Sequence, residues 1–480
     1  MKLRIYLEFS IPAVRRKKSD TEMKITQWNR LAEKLSAIYL ACILSVFLLY
    51  FGAGGYAGIA DSKWGLFLLL SGGYLLLLAA ARLELAIVGT LPLPSPRALW
   101  KSFSPPRKTL CLLWLSSLLA AVLSAYRRTS LLGSSRHEGL LTITLYLGCC
   151  LMVSLYARLR PWMLWLFAAS MSANCILALV QLAGYNPFSL YPQGMNCYDR
   201  YELYAGEFLG TVGNVDLPSA VLCIAIPLFW LALIKDTGRR KWLLCVPLAL
   251  CLTVLCRASV AGGILAMAVG VPLTVPVLLK SRKARRTAAA AVLALGFLAL
   301  LAVYLFGGRM GGTLHEAYEL LHGRWNDSFG SGRLYIWRKV APLIPQHPLF
   351  GCGPDTLGRY TDAAFERMND TVGAVIRSEI DNAHNEYLNL LIERGAAAFI
   401  LYLALLVQCA RRWVRSASSH PVAALCGGAV LAYCIQAFFG LSLPASAIYF
   451  WLMLGGLIST ETVQKTPCQA KKGERKNAKC

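Results

Sequence analysis

The sequence predicts an all-α integral membrane protein of about 12 transmembrane helices, with one long, partly helical external loop between spans 9 and 10. Three observations carry this. The chain of 480 residues is 56% hydrophobic and 15% charged, with a mean hydropathy of +0.51, a balance outside that of soluble domains. Apolar runs near the roughly 20 residues that span a hydrocarbon core recur along it. Its basic residues fall unequally between alternate loops.

The chain opens with residues 1–36, polar and basic, which are read as a cytoplasmic tail. No apolar run begins before about Ala37, so a permanent anchor is expected rather than a cleaved leader. Apolar runs at roughly 37–56, 64–88, 109–126, 139–157, 162–184, 217–234, 242–256, 259–279 and 287–307 make nine spans within residues 37–307. The seventh and eighth are divided only by Arg257-Ala258 and should form a tight hairpin. Residues 308–387 follow as the long polar segment. Spans at 388–410, 421–440 and 443–460 lie within 388–463, the last two joined at Ser442-Leu-Pro444. Residues 464–480 form a basic tail.

An even number of spans puts both termini on one side. Loops on that side carry 34 of the 49 Lys and Arg and 8 of the 25 Asp and Glu. The positive-inside rule makes that side cytoplasmic and the long loop extracytoplasmic. The net charge of +24 is then a topology signal and an attraction to anionic membrane lipids, and no nucleic-acid partner is expected. Most of the 16 cysteines lie in apolar runs, as small apolar residues do. Only Cys197 and Cys352 fall in polar loops on one side, where a disulfide between them is one reading. No Cys/His metal spacing is present.

The outer loops hold the chemistry. Arg127 and Arg128 break the charge rule on the outer side, as lipid-head contacts or as anion ligands. Arg257 sits at the hairpin tip, snorkelling to the interface or facing the bundle. In the long loop, Ser331 can cap a helix with Leu334, Trp337, Ala341 and Ile344 at helical spacing. Arg333 and Trp337 share one face of it. Pro345 and Pro348 end it, and Gly351 and Gly353 make a turn. Asp381 or Asn382 can cap the helix that becomes span 10, with His384 and Asn385 in its first turn. A helix N-terminus favours an anion, arginine binds phosphate bidentately, and histidine accepts a proton near neutral pH. That set suits a lipid-linked phosphate and a hydroxyl to be activated. No acidic metal-binding motif lies outside, so a reaction without metal or other cofactor is expected.

With these residues in view, the chain resembles the O-antigen ligase and O-antigen polymerase superfamily of bacterial envelope polysaccharide assembly. Many spans and one long outer loop near the C-terminus carry the likeness, together with ordered motifs. These are Arg333-x-x-x-Trp337, Pro348-Leu-x-Gly351-x-Gly353, His384-Asn385-x-x-Leu388 and Glu393-x-Gly395. Upstream, Gly210-Thr-Val-Gly-Asn214 resembles the family's Gly-Thr-x-x-Asn, and Arg257 lies where members carry Ser-Arg-Gly. The likeness runs over roughly residues 37 to 460. The chain departs from it at Cys256-Arg257-Ala258 and at Asn214-Val-Asp216, which leaves a role for Asp216 in doubt.

The resemblance implies a glycosyltransferase in the cytoplasmic membrane, moving a glycan from an undecaprenyl-pyrophosphate donor to a lipid or glycan acceptor on the outer face, with inversion. Arg257 and Arg333 would hold the pyrophosphate, and His384 would orient or deprotonate the acceptor hydroxyl. Asn385, Trp337, Asn214, Arg127 and Arg128 would contact substrate. A polymerase of lipid-linked repeat units is the alternative, and a polysaccharide flippase a more distant one. The flippase lacks support from internal repeats or midplane charges. A cell-wall type of polymerising glycosyltransferase would instead rest on an outer aspartate, Asp355 or Asp381.

Overall fold

The computed structural model describes residues 20–134, 136–199, 208–361, 364–369 and 374–465. It is mostly helical, and every predicted apolar run falls largely in helix. Among the described residues, eight helices are long and apolar enough to cross a membrane, and Leu140–Tyr156, Pro421–Gln436 and Pro444–Thr460 are shorter apolar helices. The first run falls in Asp20–Cys42 and its π-helical continuation Ile43–Phe47, so this helix begins well before its apolar part. The basic segment 15–18 and the tail beyond Lys465 lie outside the described residues.

The helix Asp216–Lys235 forms the centre, with 83% of its apolar window buried. It packs against Pro421–Gln436, Cys245–Ala258 and Pro444–Lys465. Small residues permit the approach. Ala423, Ala424, Ala429 and Ala432 are fully buried, and a Cβ on Gly428 would stand 2.3 Å from Leu231 Cδ1. By contrast Arg282–Phe306 buries none of its residues and packs on Ala261–Leu278 at the edge. The predicted hairpin is present: Ser259 ends Cys245–Ala258 in the left-handed region (φ +53°), and Ala261–Leu278 follows at once.

The long loop folds around its own small core of Ile336, Val340, Leu343, Cys352, Leu357, Ile380, Ala383 and Ile392. Two readings of this segment are corrected. Ser331 does not cap the helix Arg333–Val340; Gly332 takes the cap position with φ +81° and no side-chain bond. The buried stripe is Ile336, Val340 and Leu343, because the helix tightens into a 3₁₀ turn at Ala341–Leu343 and leaves Ala341 exposed. The loop also contains an antiparallel hairpin, Ala364–Asn369 with Ala374–Glu379, which the apolar periodicity did not reveal.

Two glycine motifs prove to be halves of one joint. The helix Glu386–Ser416 is broken at Gly395 (φ +71°, ψ −179°). The segment 348–353 inserts there. Cys352 and Gly353 donate to the carbonyls of Ile392 and Glu393, while Ala396 and Ala397 donate to those of Pro348 and Leu349. A Cβ on Gly351 would lie 2.3 Å from the Glu393 carbonyl carbon, and one on Gly395 would lie 2.3 Å from the Leu349 oxygen. Both positions have positive φ as well, so neither tolerates a side chain. Glu393, buried in the joint, accepts from Leu357 N and Asn389 Nδ2. The paired motifs thus fix the long loop to the end of the bundle. Cys197 and Cys352 do not pair: both are free and buried, with the Cys197 thiol on the Gln181 carbonyl and Cys352 accepting from Thr356.

Candidate active site

One cavity of about 780 Å³ opens where the loops meet. Its walls come from residues 59–63, 136–137, 208–217, 258–262, the long loop and 441–445. All of these belong to loops or helix ends that alternate spans would place on one side. Its lining includes apolar Ile59, Val212, Leu217, Val260 and Leu443 and charged or titratable Lys63, Arg136, Asp216, Arg333, Asp381 and His384.

His384 is placed by a chain of main-chain bonds. Trp337 Nε1 donates to the Ala383 carbonyl at 2.9 Å. The Ala383 N–H donates to Asn389 Oδ1 and the His384 N–H to Asn382 Oδ1. His384 itself has φ +47°, a conformation that persists only where neighbours impose it. Directly after it, Asn385 caps the helix Glu386–Ser416, accepting from the N–H groups of Tyr387 and Leu388 at 3.1 and 3.0 Å. This corrects the sequence reading on two points. The cap is Asn385, not Asp381 or Asn382, and the buried Asn385 oxygen is committed to it. Asn385 thus caps the helix next to His384 and does not line the cavity. Trp337, which does not line the cavity, positions His384.

Arg333 reaches the cavity from the first turn of Arg333–Val340. Its Nη1 donates to the Gly330 carbonyl at 2.9 Å, and its Nη2 meets Asp216 Oδ2 at 3.3 Å. Asp216 starts the central helix, and Asn214 Oδ1 accepts its N–H. The Gly-Thr-x-x-Asn stretch ahead of it is a buried knot. Thr211 Oγ1 donates to the Leu48 carbonyl and its N–H to Asn174 Oδ1, while Gln181 accepts from Gly210 N and donates to Tyr56. Gly210 has φ +63°, and a Cβ there would lie 2.4 Å from Asn174 Oδ1. That motif fixes the backbone that presents Asn214 and Asp216. Lys63 closes the same region. Its ammonium, 1% exposed, donates to the Phe47 and Leu48 carbonyls at 2.6 and 2.9 Å, where a helix end favours a cation.

The remaining arginines divide. Arg127 and Arg128 are exposed on the short helix Arg127–Leu132 and do not line the cavity; Arg127 Nε donates to the Val122 carbonyl. Arg257 is exposed at the hairpin tip, one residue before the segment Ala258–Gly262 that does line it. The arginine that the loop between the helices Arg127–Leu132 and Leu140–Tyr156 sends into the cavity is Arg136, which the sequence reading missed. Its Nε and Nη2 donate to the two oxygens of Asp381 at 2.8 and 2.9 Å. Its signal was available: like Arg127 and Arg128, it is a cation on the side where cations are scarce.

The electrostatics follow from these pairs. Burial, then the charges of Arg136 and Arg333, depress the His384 imidazole to a pKa of about 4, against a smaller opposing pull from Asp381. At neutral pH it is an uncharged base. Burial alone would raise Asp381, but the bonds and charge of Arg136 outweigh it and hold the carboxyl below its ordinary value. Asp355 is pushed up by burial, against N–H bonds from Ser134 and Glu138. Two Arg–Asp pairs, Arg136–Asp381 and Arg333–Asp216, thus share the cavity with a neutral histidine.

Residues 246–403 match the family model described as O-antigen ligase. No curated protein matches the chain. The match spans Arg257, Arg333 and His384 and the glycine joint that anchors the loop. This stretch is therefore an O-antigen ligase-family domain, in a membrane protein built of many apolar helices.

Proposed function

We propose that this protein is a membrane glycosyltransferase that moves a glycan from an undecaprenyl-pyrophosphate donor to an acceptor hydroxyl. The single observation that carries the reading is the sharing of one half-apolar, half-charged cavity by His384 and Arg333. The apolar lining residues suit the first isoprene units and the arginine the pyrophosphate. The lining loops all come from the side that the charge distribution makes extracytoplasmic, which supports twelve alternating spans with both termini in the cytoplasm.

In the reaction, the acceptor oxygen attacks the anomeric carbon as the bond from that carbon to the pyrophosphate oxygen breaks. The electron pair leaves with undecaprenyl pyrophosphate, and the configuration inverts. Arg333, with Arg257 from the hairpin tip beside the lining segment Ala258–Gly262, offsets the charge gathering on the leaving group. The hydroxyl proton passes to His384. A pKa near 4, set first by burial and then by Arg136 and Arg333, makes a weak base; a pyrophosphate beside the two guanidiniums would offset their share of the depression and move the imidazole upward.

The test is a transfer assay on purified protein in detergent with an undecaprenyl-pyrophosphate oligosaccharide, with and without divalent metal. Lipid-linked chains that lengthen without added acceptor mark a polymerase. Transfer only on addition of a second acceptor marks a ligase. Passage of the lipid across liposomes with no transfer in either assay would replace this reading by a flippase.

A further inference from the structure

Two of the described residues lining the cavity are histidines, and the transfer reaction draws on one of them. The other, His137, lies in the seven residues between the helices Arg127–Leu132 and Leu140–Tyr156, ahead of the stretch matched by the family model. Its ring is fixed from two directions. It stacks on Trp64, with centroids 4.2 Å apart and planes 8° from parallel, and Trp64 Nε1 donates in turn to Thr142 Oγ1 at 3.1 Å. Its Nε2 meets Asp61 Oδ1 at 2.7 Å. A carboxylate only accepts, so Nε2 carries the proton. In the neutral ring Nδ1 then holds a lone pair and is an acceptor. Among the described residues that nitrogen has no hydrogen-bond partner.

The backbone is held as firmly as the ring. His137 has φ +57°, a conformation that persists only where neighbours impose it. Its N–H donates to the Ser134 carbonyl at 3.1 Å, and the next N–H, of Glu138, is taken by Asp355 of the long loop at 3.2 Å. An anchor for this loop would use the ring face and Nε2. The edge that remains is Nδ1, on a residue that lines the cavity. The neighbouring charge says what could meet it. Asp61 is 80% exposed in its side chain, and a charged group so exposed marks the aqueous rather than the hydrocarbon end of the lining. A carboxylate beside the imidazole also disfavours an anion there and favours a neutral group that donates a hydrogen bond. Sugar hydroxyls meet both conditions; isoprene units and phosphates do not.

We propose that His137 is a specificity-determining residue that binds the glycan. Its Nδ1 accepts a hydrogen bond from a sugar hydroxyl, while Asp61 fixes the tautomer and Trp64 the plane of the ring. His137 makes and breaks no covalent bond, and His384 remains the base. The proposal rests on the glycan-transfer reading for the identity of the ligand, and on the cavity geometry for the site. The sugar can belong to the donor or to the acceptor, and the two sources give different readouts.

The experiment titrates undecaprenyl pyrophosphate, and separately its oligosaccharide-bearing form, into the full-length protein in detergent. The acceptor KM is measured alongside in transfer assays. Wild type is compared with His137→Ala, His137→Asn and His137→Gln, each variant's thermal midpoint being recorded. Asparagine puts an amide near the place of Nδ1; glutamine puts one near Nε2 and keeps only the contact with Asp61. If the donor's sugar is bound, His137→Ala weakens the oligosaccharide-bearing lipid about three- to tenfold, the scale of one hydrogen bond, and leaves undecaprenyl pyrophosphate unchanged. If the acceptor's sugar is bound, the acceptor KM rises by a similar factor and both lipid affinities stay as they are. In either case His137→Asn recovers more than His137→Gln. Equal weakening of the two lipids with an unchanged acceptor KM, or recovery by glutamine and not by asparagine, marks a loop anchor alone and overturns the proposal. So do lipid affinities and an acceptor KM that His137→Ala leaves unchanged. A His137-dependent preference for the oligosaccharide-bearing lipid, in a protein that transfers no glycan, supports the sugar contact and removes the transfer reading. If His137→Ala fails to fold, wild-type behaviour of His137→Gln overturns the proposal, and wild-type behaviour of His137→Asn with loss in His137→Gln supports it.

Discussion

The indole N–H of Trp337 donates to the carbonyl of Ala383, the residue before His384, at 2.9 Å. The Arg-x-x-x-Trp motif thereby does two things from one helix: Arg333 enters the cavity and Trp337 fixes the strained backbone beside it. Trp337→Phe keeps the ring against Phe438 and deletes the donor. A hydrogen bond of this kind contributes about 1 kcal/mol. Expected is a roughly five- to tenfold fall in kcat with the donor KM little changed, read in steady-state transfer assays.

His384 gives a pH signature. Its folded pKa of about 4 lies below the ordinary 6.5, so the unfolded chain binds the proton more readily. The stability contributed by the neutral ring is fully present above pH 6.5 and is lost as pH falls through 6.5 toward 4. His384→Gln should flatten the acid side of the thermal midpoint against pH over that window. A profile unchanged from wild type would show that the ring is not held neutral.

Gly395→Ala and Gly351→Ala should each prevent accumulation of folded protein, because each puts a methyl within 2.3 Å of backbone in the joint and forces a residue with a side chain to positive φ. Losses of 3 kcal/mol or more are on the scale expected for such strain. Gly58→Ala, with nothing within 4 Å and φ −110°, should be tolerated. Yield and detergent thermal unfolding separate the two groups.

Asp355→Ala removes the acceptor for Ser134 and Glu138 and frees the loop that presents Arg136. The donor KM should rise while the protein still folds, since the glycine joint is untouched. Asp355→Asn, which keeps one oxygen acceptor, should rescue part of it.

Much of this was legible in the sequence where a residue and its function share one element. Arg333, Trp337 and His384 could be found because helical spacing and motif order mark them within one loop. Arg136 carries the same charge signal as Arg127 and Arg128, but what sets it apart from them is its pairing with Asp381, 245 positions away, which a local pattern cannot report. Asn385 was placed at the site because its neighbour belongs there, although its oxygen is spent on a cap. Arg127 and Arg128 carried the right charge in the right loop, but the short helix they begin leaves them exposed. Ser331 failed as a cap because glycine at 332 offered the left-handed turn instead. The hairpin at 364–379 has no strong alternation of apolar residues, so periodicity passed over it.

The central claim is that His384 acts on the acceptor within a pyrophosphate-binding cavity. The most direct measurement is glycan transfer from an undecaprenyl-pyrophosphate oligosaccharide by wild type and His384→Ala at matched folded concentration, alongside binding of the same donor. The account predicts a fall in transfer of 100-fold or more with donor binding retained. Transfer by His384→Ala within a few-fold of wild type would contradict it.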